Sequence, residues 1–163
     1  MLFRSVVYNQ LNGFDTSFFA HQEEIDLCWR AINKGYGIQY RFESKVYHVG
    51  GATLQQGSPF KTELNFRNSL LMLTKNLPKK DLYRVLFIRM VLDGIAGIQF
   101  LSKGKVRHLL AILKAHFAFY ARFSENYAKR GDIQQTKYYF TKSIVYSYFV
   151  NKIRFFSDLI MLK

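Results

Sequence analysis

His21, Glu23, Glu24 and Asp26 place one imidazole and three carboxylates within six consecutive positions. A carboxylate that stands in a cleft beside a hydroxyl can take its proton as that hydroxyl attacks an electrophile. The same residue types also suit the start of a helix, where unpaired N–H groups and the positive end of the helix dipole favour acids. Asp26 and Arg30 have the i, i+4 spacing of a helix ion pair. Spacing alone does not choose between the two roles. His48 follows a β-branched, aromatic run and precedes Gly50 and Gly51, so it sits at a strand end beside a loop, a common place for a ligand-facing side chain. Neutral imidazole binds divalent metal, but His48 has no partner at ligand spacing, and a lone histidine is more often structural. The glycines of 50–57 form no phosphate-binding signature, and no serine or cysteine nucleophile motif occurs.

The elements that must carry these residues follow from periodicity. Ser5 to Leu11 reads as a short helix or turn, and Asn12-Gly13-Phe14-Asp15 as a turn. Glu23 to Lys34 predicts a helix with Ile25, Cys28, Trp29 and Ile32 on one face and Gly35 as its stop. Tyr36, Ile38, Tyr40 and Phe42 alternate with small or polar residues, which predicts a strand, and Lys45 to Val49 predicts a second. Beyond Gly57-Ser58-Pro59 the pattern changes to long apolar-basic segments, predicting helices over 61–76, 80–101, 105–129 and 133–161. The sequence therefore divides into 1–57 and 58–163.

Composition narrows the function classes. The 163 residues are 49% hydrophobic and 21% charged, so the chain has the material for a folded core. Before Phe60 there are 5 basic and 5 acidic residues; from there on, 19 and 6, so the second part carries the whole excess of +13. One cysteine, Cys28, excludes an internal disulfide framework. Arg89, Asp93, Lys114 and Lys142 interrupt the apolar stretches, so no spanning helix is expected. Interleaved aromatic and basic residues after residue 115 also suit a single-strand nucleic-acid binder, but no RNA-binding signature is present and the aromatics recur at helical rather than sheet spacing. No nucleic-acid partner is expected.

Taken in order, Asn12-Gly13-Phe14-Asp15, Phe18 to Arg30 (FFAHQEEIDLCWR), Gly35-Tyr36 and Val46-Tyr47-His48-Val49-Gly50-Gly51 resemble the second half of a family 2 glycosyltransferase, with its "GGFDExFF", "EDxDLCWR", "GY" and "VYHxGG" motifs. The resemblance extends to Arg67-Asn68 and Lys75-Asn76, which look like the family's "RNxLLxLxKN" helix. It covers residues 3–78. The resemblance implies an α/β fold, an incomplete GT-A fragment holding the acceptor-side part of the catalytic domain, followed by a mainly α-helical tail. It implies inverting, single-sugar transfer from a nucleotide-sugar donor to a glycan or lipid-linked acceptor, in cell-surface polysaccharide or glycolipid synthesis. Glu24 then matches the catalytic base, with Glu23 as the alternative, and His48 matches a histidine that completes a divalent metal site for Mg or Mn. Glu24 stands where many members have Asp. The family's aspartate-rich donor motif is absent from this sequence, so the donor-binding half is expected to precede Met1, and the chain by itself is expected to be inactive.

The basic, aromatic-rich second part is expected to lie peripherally on the cytoplasmic face of the cell membrane, since anionic lipid rewards each nearby Lys or Arg by about 1 kcal/mol. The alternative is a basic helical module, binding membrane or nucleic acid without catalysis.

Overall fold

The computed structural model describes residues 3–39, 41–45, 47, 57–131 and 143–161. A short helix α1 (Ser5–Gln10) leads through a 3₁₀ turn (Thr16–Phe18) to α2 (Glu23–Asn33), and then come α3 (Pro59–Asn76), α4 (Lys79–Ser102), α5 (Val106–Ala128), α6 (Ile144–Phe149) and α7 (Phe156–Met161). Among the described residues there is no strand. The expected α/β architecture, with its GT-A fragment, is therefore corrected to an all-helical fold.

The physical reason lies in residues 36–42. A strand is stable only against a neighbour that takes its hydrogen bonds and covers one face. Here Ile38 and Phe42 are exposed, and Tyr36 packs instead against Leu11, Leu27 and Ala31 between α1 and α2, its hydroxyl bonded to Gln10 Oε1. The alternation of side chains was real but has no partner strand among the described residues. Most of the second expected strand, including Val46, His48 and Val49, lies outside the described residues.

The helices themselves follow local chemistry. Gly35 ends α2 with φ +85°, its N–H bonded to Ile32 O while Tyr36 N–H reaches Ala31 O, the paired closure that a left-handed residue permits. Ser58 caps α3 by accepting from Lys61 N–H at 3.2 Å, and Pro59 occupies the first helical position, where no N–H is needed. Pro78 forces Leu77 into an extended conformation and separates α3 from α4. The expected helix over 133–161 is not continuous: α6 and α7 are separated by a segment in which Lys152 takes φ +59°, and residues 132–142 lie outside the description.

The core is a three-helix bundle of α3, α4 and α5, with α2 laid across α3. Leu70, Leu71, Met72, Leu77, Leu82, Leu86 and Phe119 form its interior, joined by Phe18 from the 3₁₀ turn, which is fully buried. A Phe18 side chain taken out of water contributes on the order of 2–3 kcal/mol, so the turn preceding α2 is anchored into the bundle. α3 and α5 run in the same direction, as Thr62 with His108, Glu63 with Lys114 and Leu71 with Asn126 show.

Candidate active site

The acids at the start of α2 are presented by an unusual stretch of backbone. Phe19 has φ 64° and ψ −57°, with Ala20 N–H bonded to Phe18 O at 2.8 Å across it. His21 and Gln22 follow at φ 68° and 74°. Three non-glycine residues with positive φ in four positions are costly, about 1–3 kcal/mol each, and persist only where surrounding contacts over-determine them.

Those contacts come from α3. The fully buried Asn68 directs its amide at three carbonyl oxygens of the turn, Phe18 O at 2.9 Å, Ala20 O at 2.7 Å and His21 O at 2.9 Å. Arg67 beside it donates to Phe18 O at 3.1 Å and to Asn68 Oδ1 at 2.9 Å. Burial and the neighbouring Arg122 charge both push the Arg67 guanidinium below its ordinary value. Asn68→Ala is expected to lower stability by about 2–4 kcal/mol in a denaturant titration, because three carbonyls lose their buried donor. Asn68→Asp, which keeps the shape but cannot donate, is expected to be no better; full rescue by Asp would show that shape rather than donation holds the turn.

A second cluster lies below the turn. The fully buried Asp26 accepts from Arg30 Nε at 2.8 Å, from Lys75 Nζ at 3.0 Å and from Asn76 Nδ2 at 2.8 Å. Lys75 also reaches Asp15 Oδ2 at 2.8 Å, so one ammonium bridges two carboxylates. Arg30 donates in addition to Leu11 O and, at 2.7 Å, to Gly13 O. The helix ion pair of Asp26 with Arg30 forms as expected, yet it is one part of a larger network joining α2 to α3.

Asp15 titrates abnormally. Burial would raise its carboxyl, but hydrogen bonds from Lys75 and Ser17 together with the Lys75 charge prevail and hold it well below the ordinary 3.8. A carboxyl with a depressed native pKa adds stability above its unfolded pKa, and that stability is lost as pH falls through the native value. The stability difference between the parent and Asp15→Asn is therefore expected to be constant above about pH 5 and to shrink steadily below it. Melting curves across pH 2–7 read this, and a difference that grew on acidification would contradict it.

Against this framework the expected site residues separate. Glu24 is exposed and makes no hydrogen bond or ion pair among the described residues. Glu23 is half-buried, with Oε2 shielded from solvent and lacking a hydrogen-bond partner, as is His21 Nε2. One turn on, burial and the Glu24 charge both raise the Cys28 thiol, which disfavours a thiolate nucleophile there. His48 lies outside the described residues, so its convergence with Glu24 is not described. Among the described residues no group of three or more His, Cys, Asp and Glu is placed to hold a metal ion; these residues alone do not fit one.

Two clefts flank α2. One of about 620 Å³ is lined by Arg30, Lys34, Lys75, Asn76 and Lys129 among others, and one of about 750 Å³ by Phe3, Arg4, Cys28 and Tyr36 among others. Neither lining includes Glu23 or Glu24. The basic lining of the first escaped sequence reasoning because its members come from α2, α3 and the end of α5. Comparison with protein-family models, curated proteins and solved structures gives no match to this chain.

Proposed function

We propose that this chain supplies the acceptor side of an inverting glycosyl transfer, with Glu24 as the general base that deprotonates the attacking hydroxyl. The observation that carries the reading is the strained Phe19–Gln22 turn, gripped by Arg67 and Asn68, at whose end Glu24 stands in solvent without a partner. Backbone strain of this kind concentrates at functional sites, where a fixed geometry is worth its cost.

The residues that resemble the glycosyltransferase motifs support it by elimination. Asp15, Asp26, Arg30, Lys75 and Asn76 are occupied with one another, and Asn68 with the turn. Glu23 and Glu24 are left as the motif carboxylates, and of the two Glu24 is the exposed one, open to a substrate hydroxyl, while Glu23 Oε2 is shielded from solvent. In an inverting displacement the hydroxyl oxygen forms a bond to the anomeric carbon as the bond to the nucleotide diphosphate breaks, and the proton passes to the carboxylate. The donor and the divalent metal belong, in this reading, to a donor-binding part outside the described residues, and the acceptor is a glycan or a lipid-linked sugar.

The test is sugar incorporation from labelled nucleotide-sugars into membranes of cells carrying the gene in its natural reading frame, against cells from which it is deleted. Incorporation from one donor that depends on this chain supports the reading. Equal incorporation in both strains across the donors overturns it.

A further inference from the structure

The geometry points to a membrane-embedded face on the bundle: the outer side of α4 and the adjoining stripe of α5 lie flat in an anionic bilayer leaflet, with their apolar side chains among the acyl chains. This stands independently of the sugar-transfer reading.

The first observation is that the second half of α4 is inside out. A helix on the surface of a water-soluble bundle turns its apolar stripe inward and its charges outward. Beyond the buried Leu82 and Leu86, the inward residues of α4 are Gly97 and the charged Asp93, which is bonded to Arg89 Nε at 2.7 Å and to His116 Nε2 of α5 at 3.2 Å. Phe87, Val91, Ile95 and Ile98 point outward, Ile98 being 68% exposed. Charged groups within membrane-embedded helices show this arrangement, paired and turned toward the bundle. An 18-residue window of α4 has a mean hydropathy of 1.6, and only 17% of it is buried. Arg89 and Asp93, which interrupt the apolar run in the sequence, pair with each other, with Asp93 buried and the Arg89 side chain one-third (33%) exposed. On α5, Leu110 and Phe117 continue the surface, Phe117 being 73% exposed, and Tyr120 ties the two helices together by donating to Met90 Sδ at 3.3 Å.

Flanking charge selects the occupant. Lys79, Lys80 and Arg84 stand at one end of this face and Lys103, Lys105 and Arg107 at the other, which suits an anionic leaflet. A second copy of the chain packed antiparallel on the same face would bring these like-charged ends together. The pose follows from the bundle. α4 has the length and composition to cross a bilayer, but α3 runs alongside α5, with Thr62 at 2.8 Å from His108 and Glu63 at 3.0 Å from Lys114. Crossing would carry Glu63, Lys114 and Lys61 into hydrocarbon, whereas lying flat keeps them on the water side.

The whole chain, purified, is mixed with phosphatidylcholine vesicles with and without phosphatidylglycerol, and binding is read by co-sedimentation in the absence of any sugar donor. The parent is expected to bind the anionic vesicles, more weakly in high salt. Ile95→Glu/Ile98→Glu, at exposed positions that leave the core intact, is expected to reduce binding on the order of a hundredfold. Nitroxide labels at Ile98→Cys and Lys114→Cys, in a Cys28→Ala background, are expected to meet a lipid-soluble and a water-soluble relaxation agent respectively. This second reading holds even where the double variant folds poorly. A parent that stays in the supernatant, a double variant that binds as well as the parent, or both labels reporting water overturns the proposal. So does a parent dimer that the same substitutions make monomeric without any vesicle binding, since a second copy would then be the occupant.

Discussion

In the complete enzyme encoded by the natural reading frame, replacing Glu24 by glutamine is expected to lower sugar transfer on the order of 10²–10⁴-fold, the usual worth of a positioned general base, with the melting temperature little changed. The two halves of this expectation come from one fact: Glu24 is exposed and has no partner among the described residues, so its charge adds to the fold only the helix-dipole contribution of a first-turn acid, about 0.3–1 kcal/mol. Glutamine keeps the length and the local polarity and removes only the ability to accept a proton. Substrate binding should survive, so the loss should fall on kcat rather than on KM. Glu23→Gln is the control, because its shielded Oε2 faces protein rather than an incoming hydroxyl, and it should leave turnover within a few-fold. A severe loss in Glu23→Gln with an active Glu24→Gln would transfer the role of base to Glu23.

The largest expected effect on stability belongs to Asp26. Asp26→Ala should cost about 3–5 kcal/mol, because removing one member of a buried ionic cluster leaves its partners desolvated and uncompensated. Lys75 keeps Asp15, but Arg30 and Asn76 lose the acceptor toward which they are oriented. Against a total folding free energy of about 5–15 kcal/mol, such a loss leaves a marginal protein. Asp26→Asn, which preserves the shape and one acceptor, should cost less than Asp26→Ala. A double-mutant cycle of Asp26→Ala with Arg30→Met should show strong coupling, since the second substitution removes the charge that the first leaves without its carboxylate. Additive costs in urea titrations would mean that the two side chains are neighbours without being partners.

The helices were legible in the sequence where periodicity and punctuation agreed. Glu23–Asn33, Pro59–Asn76, Lys79–Ser102 and Val106–Ala128 end within two residues of the spans predicted from Gly35, Pro59, Pro78 and Gly104. The local ion pair of Asp26 and Arg30 was equally legible, since four positions on a helix fix a distance. The strand expected at 36–42 was misread because alternation at Tyr36, Ile38 and Phe42 reports side-chain types, not the presence of a second strand to pair with. The partnership of Asp15 and Asp26 with Lys75 could not be read, because 49 or 60 positions of separation carry no distance information. The motif resemblance grouped these residues without saying why, and the structure supplies a physical reason for most of them: they bind one another. A membrane-facing lie of the second part was expected from its apolar and basic composition, whereas the inward turn of Asp93 was not, since Arg89 and Asp93 looked like interruptions of the apolar run and not like a pair.

The junction of α2 with α3 bears on how the chain tolerates change in length. Lys75 and Asn76 hold Asp26, and Asn33 Nδ2 reaches Asn76 O at 3.2 Å, so the end of α2 is pinned to the end of α3, while the start of α3 is held against α5 by Thr62 with His108 and Glu63 with Lys114. α2, with 11 residues, is too short to persist alone in water, and it gains its helical form by docking. The entropy of closing that segment grows only with the logarithm of its length, so ten residues added between Asn33 and Pro59 would cost about 0.3 kcal/mol. Insertions or deletions there leave the pinned ends where they are. The geometry of the Phe19–Gln22 turn and of Glu24 is thus uncoupled from the length of the chain that joins α2 to the bundle, which makes that segment the place where members of a lineage can diverge without disturbing the carboxylate.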